Sequence, residues 1–161
     1  MSEKSLMYSQ LATQAEALLS VTGNPVANAA NLSALIFNSL AAVNWVGFYF
    51  LHEDKLLVGP FQGQPACVEI PIGKGVCGTA ASSGAVQRVA NVHDFPGHIA
   101  CDVASKSEIV IPLLVNEKLI GVLDIDSPEP SRFDLVDQQG LVKLAEIYLQ
   151  ACNFNSNSRN N

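Results

Sequence analysis

The sequence predicts an α+β domain built on a central, largely antiparallel sheet flanked by helices. Three observations lead there. Helical spacing opens the chain, extended segments then come as two hairpins joined by long loops, and an amphipathic helical segment follows. Strands and helices do not alternate as βαβ units would. Neither a GxGxxG nor a P-loop pattern occurs, so a doubly wound nucleotide fold is disfavoured.

Met7, Leu11 and Leu18 recur at helical spacing up to Gly23. After Pro25 a second helical run carries Val26, Ala29, Ala30, Leu35, Ile36 and Leu40. From Asn44 to Leu51 the residues turn β-branched and aromatic, and a second strand, Lys55 to Gly59, follows His52-Glu53-Asp54 as a hairpin. Pro60 to Gly75 is rich in Gly and Pro and holds a third strand around Cys67 to Ile70. Small residues from Val76 to Ser83 suit a short helix ended by Gly84, and Ala85 to Val92 reads as an edge strand. His93 to Ser107 has no period and is read as a loop of the kind that carries function. Glu108 to Val115 and Leu119 to Asp126 are apolar enough to lie centrally, joined by a turn at Asn116-Glu117-Lys118. Beyond Pro128 and Pro130, Leu135, Leu141, Leu144, Tyr148 and Leu149 mark the last helix. Residues 1–152 are read as one domain, and 153–161 as a polar, disordered tail.

With 48% hydrophobic and 15% charged residues, the 161-residue chain has ample apolar surface to fold. A net charge of -6 without a basic cluster repels phosphate backbones and anionic lipids, which disfavours nucleic acid and membrane partners. No signal-type or spanning apolar run is seen, so a cytoplasmic protein is expected. There, reductants keep thiols free and structural disulfides are rare, which makes redox chemistry a reading for Cys67, Cys77 and Cys101; Cys152 reads as core packing. No CxxC occurs. Three thiols with His93 or His98 could form a tetrahedral site, but closely spaced ligand pairs are missing and no metal is expected.

Asp124 and Asp126 stand two apart in an apolar strand, so they share a face, and burial of such a pair leaves one carboxyl protonated as a proton donor. A strand-end Asp capping the turn before Pro128 is the competing reading, stronger for Asp126. Whether Glu108 joins them depends on the turn. A two-residue loop at Asn116-Glu117 would pair Ile109 with Asp124, whereas a three-residue loop, or a bulge near Gly121, pairs Glu108 with Asp126. The sequence favours the latter arrangement. Three acids without a basic partner suit a cationic group, such as an amino acid's ammonium, or a metal. Trp45 and Tyr49 share a strand face and either wall a pocket or fill the core.

Asn44-Trp-Val-Gly-Phe-Tyr49, Gly75-Val-Cys-Gly78, Phe95-Pro-Gly-His-Ile-Ala-Cys-Asp102, Ser107-Glu-Ile-Val110 and Gly121-Val-Leu-Asp-Ile-Asp-Ser127 together resemble the free methionine-(R)-sulfoxide reductases. These are GAF-domain proteins, so the resemblance implies a GAF fold. Other GAF domains are non-catalytic small-molecule sensors, the alternative for this chain.

The resemblance implies that Cys101 attacks the sulfoxide sulfur of free L-methionine (R)-sulfoxide. Methionine leaves and a sulfenic acid remains. Cys67 then condenses with it to a disulfide, Cys77 assists recycling, and thioredoxin acts as external reductant with no bound cofactor. It further implies that Glu108, Asp124 and Asp126 hold the ammonium and assist the sulfoxide oxygen, and that Trp45 and Tyr49 form a methyl pocket. Main-chain N–H groups of Ile99, Ala100 and Cys101 would take the carboxylate, in a homodimer. Asn91 stands where family members often carry Asp. One physical tension follows: Asp102 and the acids should raise the pKa of Cys101, so the substrate ammonium is expected to offset their field.

Overall fold

The computed structural model describes residues 1–99, 101 and 103–154. Its elements are α1 (Glu3–Leu19), α2 (Pro25–Ser39), β1 (Trp45–His52), β2 (Lys55–Gly63), β3 (Glu69–Pro71), α3 (Gly75–Ser83), β4 (Gln87–Val89), β5 (Ser107–Val115), β6 (Lys118–Ser127) and α4 (Leu135–Ala151). A 3-10 turn covers Val92–Asp94. The helices start at side-chain caps where the sequence supplies them. Asn24 accepts from the N–H groups of Val26 and Ala27 with Pro25 in the first turn, and Asp134 forms a reciprocal capping box with Asp137.

The six strands form one sheet in the order β3-β2-β1-β6-β5-β4, and all five neighbouring pairs are antiparallel. One face carries Val46, Phe48, Ile109, Ile111, Leu123 and Ile125, buried together with Leu11, Leu32, Ile36, Leu144 and Tyr148 of α1, α2 and α4. The other carries Trp45, Tyr49, Val110 and Val122, buried with Val76, Cys77 and Ala80 of α3. Helices thus cover the first face fully, while one short helix and the loops cover the second. That imbalance leaves room for a cavity on the α3 side.

Several element bounds differ from the sequence expectation. β2 runs four residues past Gly59, because a register irregularity opposite Gly47 and Tyr49 accommodates Gly59-Pro60 and lets pairing resume at Phe61. β3 begins at Glu69, leaving Cys67 in the preceding loop. β4 is only three residues long and sits at the sheet edge, with Ala85, Val86 and Ala90 to Val92 outside it. Asn153 and Phe154 are not loose: the Asn153 N–H donates to the Gly23 carbonyl at 2.9 Å and Phe154 meets the Tyr148 ring edge-on at 6.0 Å. The rest of the expected tail, 155–161, lies outside the described residues.

The β5–β6 turn is the two-residue one, not the three-residue loop. Val115 pairs with Lys118, and both Asn116 and Glu117 take positive φ, 51° and 65°. Pairing then shifts: Leu114 opposes Leu119 but Leu113 opposes Gly121, leaving Ile120 as a bulge. Beyond it Glu108 opposes Asp126, the register that a bulge near Gly121 was expected to give. Gly121 is needed there, since a Cβ would collide with the Tyr49 carbonyl on β1.

Candidate active site

β1, β6 and β5 deliver the site in three adjacent rows. Trp45 pairs with Asp126, which pairs with Glu108; Gly47 pairs with Asp124, which pairs with Val110. Strand alternation therefore puts Trp45, Tyr49, Asp124, Asp126 and Glu108 on one face. Glu108 and Asp124 are buried and Asp126 is half-buried. Among the described residues they line, with Cys77, Cys101, Ile99 and the two aromatics, a cavity of about 550 Å³ including its open mouth.

The aromatic wall is stacked. Trp45 lies 5.8 Å from Tyr49 and 5.2 Å from Phe61, centroid to centroid. Both polar tips are used: Trp45 Nε1 donates to the Gln64 carbonyl at 3.1 Å, and the Tyr49 hydroxyl donates to the Cys67 carbonyl at 3.2 Å. The wall that faces the cavity thereby also tethers the loop carrying Cys67.

Cys67 and Cys101 are joined in a disulfide, with Cα atoms 5.4 Å apart across a sequence separation of 34. Cys77 and Cys152 are free and buried. Cys152 belongs to the helical core, where Asn28 Nδ2 donates to its sulfur at 3.6 Å, as expected for a packing residue. Cys77, by contrast, stands against the carboxylates, and its Sγ, a Glu108 oxygen and an Asp124 oxygen all lie within 4.8 Å of one another. Burial, then Asp124, then Glu108 push its thiol well above the usual range, so it is held as the neutral thiol.

The acids perturb each other in the same direction. Burial first, then Asp124, raises Glu108; burial first, then Asp126, raises Asp124. Asp124 keeps one oxygen, Oδ1, buried without a hydrogen-bond partner. A buried carboxylate oxygen left in this way is costly, and a cationic or proton-donating guest would satisfy it.

The loop after the 3-10 turn brings Ile99 and Cys101 to the cavity. The Cys101 N–H donates to the Ile99 carbonyl at 3.1 Å in this disulfide form, and Ala100 and Asp102 lie outside the described residues. His93 and His98 stack edge to face at 6.1 Å; burial, then His93, lowers the pKa of His98, which also lines the cavity. Sequence reasoning missed Lys74, the one lysine or arginine among the described lining residues. Its place between Gly73 and Gly75, just before α3, was the available signal.

Residues 10–151 match the family described as GAF domain. The chain belongs to the GAF domain family. A protein of Escherichia coli named free methionine-R-sulfoxide reductase is 52% identical over 141 residues, 88% of this chain and 86% of its own. Among solved structures, fRMsr of Staphylococcus aureus in complex with substrate has a TM-score of 0.87 at 50% identity, covering 91% of this chain and 95% of that one. The free methionine-R-sulfoxide reductase of Neisseria meningitidis in complex with its substrate has a TM-score of 0.89 at 40% identity, covering 94% and 91%. The motif resemblance to the free methionine-(R)-sulfoxide reductases thus extends over most of this GAF domain, and the α+β fold is the expected one. No helix among the described residues is long and apolar enough to cross a membrane.

Proposed function

We propose that this GAF domain reduces free L-methionine (R)-sulfoxide to methionine. The observation that carries the reading is the Cys67–Cys101 disulfide at a cavity lined by three carboxylates and a stacked aromatic pair. A GAF sensor that only bound its ligand would have no use for such a thiol pair.

In this mechanism the substrate's ammonium lies against Glu108, Asp124 and Asp126, its methyl group against Trp45 and Tyr49. The Cys101 sulfur attacks the sulfoxide sulfur, and the oxygen is carried to Cys101 as a sulfenic acid while methionine departs. A protonated carboxyl polarises the sulfoxide oxygen. Glu108 and Asp124 suit that role, since burial and their neighbours favour the neutral form of each. The Cys67 thiol then displaces water from the sulfenic acid, giving the disulfide seen here. A dithiol, in our reading thioredoxin, returns both cysteines to thiols, with Cys77 as the auxiliary thiol behind them. Lys74 and the bound ammonium offset the acid field at Cys101.

For the carboxylate to rest on the N–H groups of Ile99, Ala100 and Cys101, the Cys101 N–H must leave the Ile99 carbonyl when the disulfide opens. We read the enzyme as a homodimer on the strength of the resemblance, and as cytoplasmic from the apolar pattern of its sequence. The test is NADPH consumption with thioredoxin and its reductase on the separate epimers of free methionine sulfoxide. Turnover of the R epimer alone, lost in Cys101→Ser, is expected; equal use of both epimers, or of neither, refutes the proposal.

A further inference from the structure

The floor of the cavity holds more than an ammonium site needs. A sulfur and two carboxylates, from α3, β5 and β6, present ligand atoms within 4.8 Å of one another, and all three residues are buried. Three donors on three separate elements converge, which a chance surface cluster of acids does not do. A second observation concerns one atom: Asp124 Oδ1 is buried with no hydrogen-bond partner, although the Asp124 carboxyl as a whole is hydrogen-bonded to Glu108 and Cys77. The cavity gives a solute access to it, since Asp124, Glu108 and Cys77 all line the opening pocket.

From this geometry we infer that Cys77, Glu108 and Asp124 form a binding site for a thiophilic divalent cation such as Zn²⁺, which competes with the substrate for the cavity floor. Soft thiolate with two oxygens suits Zn²⁺ or Co²⁺. Mg²⁺ and Ca²⁺ prefer a larger set of oxygen ligands and do not select sulfur. As the metal bonds to sulfur and to the two carboxylates, the thiol proton and any proton held on Glu108 or Asp124 pass to solvent. A cation there removes Cys77 from thiol exchange and replaces the ammonium's electrostatic partner, so it acts as an inhibitor and not as a cofactor. The competition rests on the proposed placement of the ammonium; the metal site itself does not.

The site is read with Co²⁺ on the full chain in its disulfide form, in which Cys77 and Cys152 are the free thiols. A thiolate-to-cobalt charge-transfer band is expected at one ion per chain, retained in Cys152→Ser, and bleached by stoichiometric Zn²⁺ but not by Mg²⁺. Cys77→Ala should lose the band and bind Co²⁺ at least tenfold more weakly, with its fold checked by circular dichroism. Asp124→Asn keeps the thiol and should weaken binding while the band's position shifts. A band that survives in Cys77→Ala, or no band in the wild type, overturns the site. In the Cys67→Ser/Cys101→Ser chain, which has no disulfide and cannot turn over, free methionine sulfoxide should displace the cobalt. If the band stands and the sulfoxide leaves it untouched, competition is overturned; NADPH-coupled turnover of the metal-free chain reports separately on the proposed activity.

Discussion

The Tyr49 hydroxyl offers a way to separate the two sulfur steps. It donates to the main-chain carbonyl of Cys67 at 3.2 Å while its ring forms the cavity wall. Tyr49→Phe keeps the ring and its stacking on Trp45 but releases that carbonyl. A hydrogen bond of this kind contributes about 1 kcal/mol net. Released, the Cys67 loop spends about fivefold less of its time poised to meet Cys101. In the proposed mechanism the Cys67 loop takes no part in the attack on the sulfoxide, so methionine release should be unchanged. Rapid-quench single turnover measures both: methionine by chromatography, and disulfide by loss of free thiols. We expect disulfide formation to slow about fivefold and a sulfenic acid, trapped by a 1,3-dione, to accumulate. Equal slowing of both steps, or no change in either, would show that the hydroxyl does not position Cys67.

Other outcomes follow from the same geometry. Cys67→Ser should release one methionine per chain and then stop in the sulfenic state, whereas Cys101→Ser should release none; product counting against chain concentration distinguishes them. Asp137 is fully buried and accepts from Tyr8 at 2.8 Å, Lys4 at 3.0 Å, Arg132 and the Asp134 N–H, so it fastens α4 to α1. Asp137→Ala leaves the Arg132 and Tyr8 donors without their acceptor and should cost about 3 to 5 kcal/mol in urea unfolding. Glu108 and Asp124 have folded pKa values above their unfolded ones, so the stability each contributes is complete below about pH 4 and is lost as pH rises through the folded value. In chelator-treated protein, stability should therefore fall from pH 5 towards alkaline pH, and fall less in Glu108→Gln; a flat profile in the wild type would contradict buried, protonated acids. Sulfoxide turnover should decline over the same range as the donor proton is lost.

Much of the fold could be read because its strongest signals are local. Pro25 after Asn24, the Trp45–Phe50 run and the β5–β6 pair each encode their element in neighbouring residues. β4 could not be bounded, because an edge strand of three residues pairs on one side only and needs little of its own sequence. Gly59-Pro60 ordinarily ends a strand but here sits in a bulge, so the sequence pattern does not reveal the far half of β2. Asp124 and Asp126 sharing a face follows from strand period alone. The entry of Cys77 among those acids does not, since it depends on how α3 packs across the sheet. Lys74 and the tether from Tyr49 to the Cys67 loop were invisible for the same reason: both are tertiary relations between segments with no shared periodicity.

Ile120 touches none of the candidate chemistry, yet its unpaired place in β6 governs which atoms can meet. Without it the tight turn at Asn116-Glu117 would set Glu108 opposite Ile125, and the third carboxyl would look into the helical core. A single-residue deletion about 14 Å along the strand from Asp124 would therefore dismantle the cluster without changing one of its members. In this chain the composition of the cavity is counted out along the backbone, and the parity of one hairpin is as much a determinant of reactivity as any side chain that lines it.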